Sequence, residues 1–167
     1  GFNSVEMGEL TLGSQVMTML YMFIGGGSGG TAGGIKVTTF ALILLAVWAI
    51  IKGDNDINIL HRRIPKELIL KAFTITIFSG CIVFFILFIL TMTEKAPLNV
   101  LMFEVFSAFG TVGMSMGLTP ELSTAGKLVI TTLMFLGRVG PLTLAFALTK
   151  RNSKVKWKNP EEKIMIG

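Results

Sequence analysis

A single cysteine, a single histidine and one tyrosine occur in 167 residues, and only 15% of the chain is charged. Cys81 has no second thiol for a disulfide, and with His61 alone beside it the chain holds no set of ligands for a metal cluster. Cys81 lies in the middle of an apolar run, where a buried and inert thiol is expected. Catalysis within apolar spans would need a nucleophile, metal ligands or an acid–base pair there. No Asp and no His falls within one, so the sequence does not read as an enzyme.

Half of the residues are hydrophobic, which concentrates the few charges between long apolar runs, as in a membrane protein. Run 68–92 carries one lysine near its start and run 128–149 one arginine in its middle. Each has about the ~20 residues that cross a bilayer as a helix. Two shorter runs, 15–24 and 35–51, flank a glycine-rich stretch at 25–34. Together they span the membrane only as a helix interrupted partway.

The net charge of +5 could point to nucleic acid, but its distribution argues for membrane topology and against a nucleic-acid partner. Lys52, Arg62, Arg63 and Lys66 lie in or beside the connector 53–66, and Lys150, Arg151, Lys154, Lys156, Lys158 and Lys163 follow the last span. Glu6, Glu9, Glu94 and Glu121 mark the opposite ends, where Lys95 is the clearly loop-borne cation. The positive-inside rule makes the connector and the tail cytoplasmic.

Segment 98–109 is apolar and helix-compatible, but about 12 residues reach only ~18 Å, short of the ~30 Å hydrocarbon core. It must enter and return to the same side, with glycines at 110, 113 and 117 and Pro120 supplying the way back. Irregular backbone at membrane depth is tolerated where it is buried in protein or lines a water-filled cavity. A half-helix with such a return is a pore architecture, and its C-terminal partial negative charge favours a cation. Thr111-Val112-Gly113 reproduces the start of the potassium-channel filter signature, in which stacked carbonyls replace the hydration shell of the ion. The tripeptide alone carries little weight; its place after a half-span helix does. Met114-Ser115 departs from the Tyr-Gly of that signature, which implies fewer ordered ion sites.

An internal repeat adds to this. At a spacing of 112, Gly1, Glu9, Leu10, Met22, Phe23 and Gly25 meet Gly113, Glu121, Leu122, Met134, Phe135 and Gly137; Phe40-Ala41-Leu42 then meets Phe146-Ala147-Leu148 at a spacing of 106. Repeated units around an axis suit a transport pore. Arg138, aligned with Gly26, costs at least ~2.5 kcal/mol at the centre of a span, so it should face the pore or a polar partner. The exposed carbonyls of stretch 25–34 are the expected partners. That stretch also holds a loose Gly-x-Gly-x-x-Ala at Gly27, Gly29 and Ala32, but no strand precedes it and its flanks are membrane helix, which excludes a nucleotide loop. Lys36 points along the break or towards the cytoplasmic vestibule. Glu104 either braces the filter from behind or is a solvated external carboxylate.

The segments FGTVGMSMGLT at 109–119, GFNSVEMG at 1–8 and GGGSGGTAGGIK at 25–36 together resemble the Ktr/Trk/HKT potassium-transporter superfamily, most closely its Ktr-type membrane subunits. The tail 159–167 is similar to the end of such subunits. The resemblance implies an all-α membrane fold of four helix–pore loop–helix repeats, of which this chain is a fragment. Residues 1–52 would end the third repeat. Residues 67–149 would form the fourth, with outer helix 67–92, pore helix 98–109, filter 111–115 and inner helix 125–149; residues 150–167 would be the tail. Gly1 and Gly113 become the third and fourth filter glycines, with Thr111, Val112, Met114 and Ser115 completing the fourth filter segment. The stretch Gly25, Gly26, Gly27, Ser28, Gly29, Gly30, Thr31, Ala32, Gly33 and Gly34, with Lys36, becomes an intramembrane gating loop, and Arg138 an electrostatic gate element below the filter. It further implies a plasma-membrane location, potassium as the transported ion, no covalently bound cofactor, a cytosolic nucleotide-binding regulatory ring as partner, and a homodimer of membrane subunits. Sodium has room as an activating ion. The rival readings are a less selective sodium/potassium pathway and a secondary cation transporter with broken helices; a passive membrane scaffold explains neither Arg138 nor the return loop.

Overall fold

The computed structural model describes residues 1–53, 57–59 and 62–140. The expected inner-helix residues 141–149, the second part of the repeat at 146–148, the tail 150–167 and His61 lie outside the described residues. The described chain is helical: α1 Leu12–Ile24, α2 Val37–Lys52, α3 Lys66–Thr93, α4 Leu98–Gly110 and α5 Thr124–Val139, with a 3-10 turn at Met7–Glu9. The connector holds a minimal hairpin, β1 Asn58–Ile59 with β2 Arg62–Arg63, pairing Asn58 with Arg63 and Ile59 with Arg62.

α3 is, among the described residues, the one helix long and apolar enough to cross a membrane by itself. Its 28 residues extend about 42 Å. It is apolar on every side, and only Ala72, Ser79, Val83, Ile86 and Leu90 are buried against the protein. Phe84, Phe85 and Phe88 are more than half exposed, as suits a helix facing hydrocarbon. Cys81 is exposed on this helix, correcting the expectation of a buried thiol: a surface that faces lipid is as apolar as a core, so hydropathy cannot separate them.

α4 is the hub. Eight of its 13 residues are buried, and it packs against α1, α3 and α5. At about 20 Å it stops inside the thickness of the bilayer. Phe103, Val105 and Phe109 are fully enclosed, and Phe23 of α1 stacks on Phe109 at 5.6 Å and meets Phe106 edge-on at 5.9 Å.

The caps restate the repeat in three dimensions. α1 begins at Leu12 after Thr11, whose hydroxyl accepts from the Ser14 amide; α5 begins at Thr124 after Ser123, whose hydroxyl accepts from the Gly126 amide. Each pair stands 112 residues apart, and a hydroxyl caps the first turn in both. The ends differ. α1 stops at Gly25 with φ 76, whereas Gly137, its counterpart, stays helical and α5 continues to Val139.

Of the inner helix expected over 125–149, α5 covers the described part up to Val139. It leaves helical geometry at Gly140, with φ 86 and ψ 135. Pro141 follows, and a proline disfavours the helical conformation of the residue before it, so Gly140-Pro141 was a readable stop signal inside the apolar run. Arg138 consequently sits in the last turn of α5, not in the middle of a continuous span.

Glu94, the C-cap of α3, ties that helix to the start of α5. Its carboxylate accepts from the backbone N–H of Ser123 at 3.1 Å and from the Ser123 hydroxyl. These bonds favour the ionised form and hold the Glu94 pKa below its ordinary value, with Lys127 adding a smaller attraction. A carboxyl whose pKa is lowered by folding stabilises the fold above its unfolded pKa and stops doing so as pH falls through the folded value. In the complete detergent-solubilised protein, Glu94→Gln should melt below the parent by a margin that is constant at neutral pH. That margin should shrink as pH falls below about 4.5, the ordinary carboxyl value; a margin independent of pH would show that the charge contributes nothing.

Candidate filter and gate

At the end of α4 the chain turns sharply. Thr111 takes a left-handed conformation at φ 52, ψ 39, uncommon for a β-branched residue, and its amide bonds back to the Ala108 carbonyl at 3.1 Å. The Val112 amide reaches the Ser107 carbonyl at 3.0 Å, and Gly113 has φ 84. The side chains of Val112, Met114 and Met116 pack on the cluster of Met19, Met22 and Phe103. The polarizable, unbranched methionines fill the irregular space behind this segment.

Gly1 and Gly113 come together although 112 residues separate them in the chain. A methyl placed on Gly1 would lie 3.0 Å from the Gly113 carbonyl oxygen and 3.1 Å from that of Val112. Both glycines are exposed, so the two backbones share one open surface at the end of α4.

Ser115 and Thr119 anchor the return segment. The Ser115 hydroxyl donates to Glu104 Oε2 at 2.8 Å and the Thr119 hydroxyl to Glu104 Oε1. Glu104 is buried, which decides between its two sequence readings in favour of contact with the return segment. Gln15 is also buried, donates to the Leu10 carbonyl at 2.9 Å and lies 3.5 Å from Asn99 of α4. No sequence signal singled it out.

Stretch 25–34 folds back on itself directly beneath α4. Ile35, 2% exposed, donates its amide to the Phe23 carbonyl at 3.1 Å, and Val37 donates to Gly26 at 3.1 Å, which closes the loop at its base. The Gly33 amide is shared between the Gly110 carbonyl at 3.1 Å and the Thr111 hydroxyl oxygen at 3.0 Å. The loop and the turn after α4 are thus bonded directly. A methyl on Gly33 would lie 2.7 Å from the Phe109 carbonyl oxygen, and one on Gly137 only 2.1 Å from the same atom. Neither position has room for a side chain.

Two cations hold the tip. Lys36, itself at φ 77, donates to the carbonyls of Gly30 at 3.2 Å and Ala32 at 2.7 Å. Arg138 donates through Nη1 to the Thr31 carbonyl. Three successive carbonyls are therefore engaged by two fixed positive charges, and Arg138 finds the partner its sequence position called for. Lys36 turns back onto its own loop, so the vestibule reading is the one set aside. Gly27, Ser28, Gly29, Gly30, Thr31 and Ala32 are exposed, and a mixed polar cavity of about 380 Å³ separates the tip from the end of α5.

A family model described as TrkH, a cation transport protein, matches residues 1–158. The Ktr system potassium uptake protein B of Bacillus subtilis (strain 168) is 49% identical over 168 residues, covering all of this chain and 37% of the relative. The potassium/sodium uptake protein NtpJ of Enterococcus hirae is 39% identical over 173 residues, covering all of this chain and 38% of the relative. The Ktr system potassium uptake protein B of Vibrio alginolyticus is 40% identical over 167 residues, covering all of this chain and 36% of that protein. The chain thus spans little more than a third of the length of the curated relatives it matches.

If Lys36 and Arg138 hold the loop closed, replacing both by alanine loosens it locally. The amides of Gly33 and Ile35 should then exchange with deuterium about tenfold faster, the effect of losing one charge-assisted bond, while those of α3 keep the parental rate. Unchanged exchange at 33 and 35 would mean that the two cations hold nothing in place.

Proposed function

Because the chain belongs to the TrkH family of cation transport proteins, we propose that it forms the last filter-bearing repeat, and the end of the one before, of a pore for potassium uptake across the cell membrane. The observation that carries this reading is the meeting of Gly1 and Gly113 at the open end of a helix too short to cross the bilayer. Two repeats each deliver a glycine to one point, and the helix directs its C-terminal partial negative charge there. Thr111, Val112, Gly113, Met114 and Ser115 form one quarter of the filter, and Gly1 belongs to the neighbouring quarter.

Flux is controlled one layer below. The loop of Gly25 to Gly34, held by Lys36 and Arg138, blocks the path when its tip is clamped, and it communicates with the filter through the bond from Gly33 to Thr111. In the membrane the connector 53–66 and the tail 150–167 are cytoplasmic, following the distribution of Lys and Arg. The names of the relatives support potassium as the transported ion and a Ktr-type assembly; a cytosolic nucleotide-binding ring and a dimer of membrane subunits enter this reading through the family resemblance alone. A less selective sodium/potassium pathway, or sodium as an activating ion, has its support in the relative named as a potassium/sodium uptake protein. A secondary transporter with broken helices would have no use for a half-helix that returns through a filter-like segment.

Potassium uptake by a deficient strain that expresses the complete transporter carrying this segment tests both parts. Gly113→Ser, a side chain at φ 84 where the backbone disfavours one, should cut potassium uptake at least tenfold or equalise potassium and sodium uptake. Unchanged uptake and ion preference would sink the filter assignment. Shortening the loop between Gly27 and Ala32 should raise flux severalfold; parental flux would reduce the loop to packing.

A further inference from the structure

Glu104 is a carboxylate in the middle of the most buried helix among the described residues, and it is only 5% exposed. Such a group is costly to bury unless its oxygens accept hydrogen bonds, and both do. Oε2 accepts from the Ser115 hydroxyl at 2.8 Å and Oε1 from the Thr119 hydroxyl. The two hydroxyls lie 3.0 Å apart, and the Ser115 oxygen in turn accepts from the Gly117 amide at 3.1 Å. One side chain on α4 therefore gathers the segment from Ser115 to Thr119.

Met116 and the buried Leu118 pack their side chains against the protein, but the backbone of that segment has little else to hold it. Between Gly113 and Gly117 no backbone group bonds to another backbone group among the described residues. Carbonyls meant to replace the hydration of an ion cannot be used up in a ladder, so the backbone that carries them must be held by side chains from behind. Discrimination between cations depends on the number, spacing and field of those carbonyls. A loosely held strand adapts to whichever ion enters.

We propose that Glu104 is a positioning residue for ion preference: through Ser115 and Thr119 it fixes the return segment so that the carbonyls at 111–113 keep a spacing matched to potassium. This rests on the filter reading of Gly113, and the test separates the two.

The complete transporter is assayed in a potassium-uptake-deficient strain, with potassium uptake measured alone and against competing sodium and normalised to the amount of protein in the membrane. Glu104→Ala should lower the preference for potassium over sodium about tenfold, as expected for loss of a charge-assisted bond, and raise KM while Vmax per molecule stays near parental. Glu104→Gln, whose amide can still accept from one hydroxyl and donate to the other, should keep most of the preference. Ser115→Ala should reproduce part of the fall, and adding Glu104→Ala to it should cost less than Glu104→Ala costs alone, because the two share the Ser115 contact and only the Thr119 bond is left to lose.

A Glu104→Ala protein with parental ion preference and only reduced Vmax or amount would overturn the proposal, leaving Glu104 a folding residue. A fall in Glu104→Gln as deep as in Glu104→Ala would overturn it too, since charge and not position would then be responsible. If Glu104→Ala does not reach the membrane, Ser115→Ala and Thr119→Val sever the same bonds singly and decide by the same criterion. Gly113→Ser is the control: if it leaves preference unchanged, the filter reading fails and this proposal with it. If it shifts preference while the Glu104 variants do not, only the role of Glu104 fails.

Discussion

The carbonyl oxygen of Phe109, one residue before the end of α4, is approached at backbone distance by two other segments, and the rest of the arrangement depends on that convergence. A helix leaves its last carbonyls without partners inside itself. Here Gly33 brings an amide to Gly110, and Gly137 lets α5 cross against Phe109 with no side chain between them. A methyl at either glycine would collide with the Phe109 carbonyl, so α4, α5 and the loop between α1 and α2 can share one layer only because these positions are bare.

From that layer the mechanical logic follows. The Gly33 amide is shared between the last carbonyl of α4 and the Thr111 hydroxyl, so movement of the loop is felt at the first residue after α4. The loop is closed at its base by Ile35 and Val37, bonded to Phe23 and Gly26, and at its tip by Lys36 and Arg138. Between the two lies a run of small, exposed residues with little packing of its own. Such a segment opens locally at lower cost than the helices that frame it. Irregular backbone at this depth also needs a polar or water-lined surrounding, which the cavity beside Arg138 supplies.

Above the layer, rigidity comes from behind. The methionine and phenylalanine cluster fills the space under Val112 and Met114, and Glu104 gathers Ser115 and Thr119. At the C-terminal end of α3, Glu94 bonds the cap of α5, so the two helices flanking the half-helix are fixed at that end and packed against each other. Packing and hydrogen bonding thus hold the scaffold still while leaving the backbone at 113–117 without a ladder of its own among the described residues.

Periodicity, length and charge placement were enough to make the chain a helical membrane protein, to mark α4 as too short to span, and to place a break between α1 and α2. These are local or additive properties of the sequence: 1.5 Å per residue, the cost of charge in hydrocarbon, the conformational freedom of a glycine run. The repeat at a spacing of 112 was also legible, down to the matching caps at Thr11 and Ser123. The Gly140-Pro141 stop was present in the sequence but masked by the apolar run around it. The sequence directed Arg138 to the carbonyls of stretch 25–34 and made Gly1 and Gly113 equivalent positions, but which atoms far apart in the chain meet was decided by tertiary structure. Gly1 beside Gly113, Gly33 bonded to Thr111, Arg138 on Thr31 and Cys81 facing outward depend on how helices of similar hydropathy choose their neighbours. In a membrane the outside of a bundle is as apolar as its inside. Composition therefore says that these helices are buried in something, and only their packing says in what.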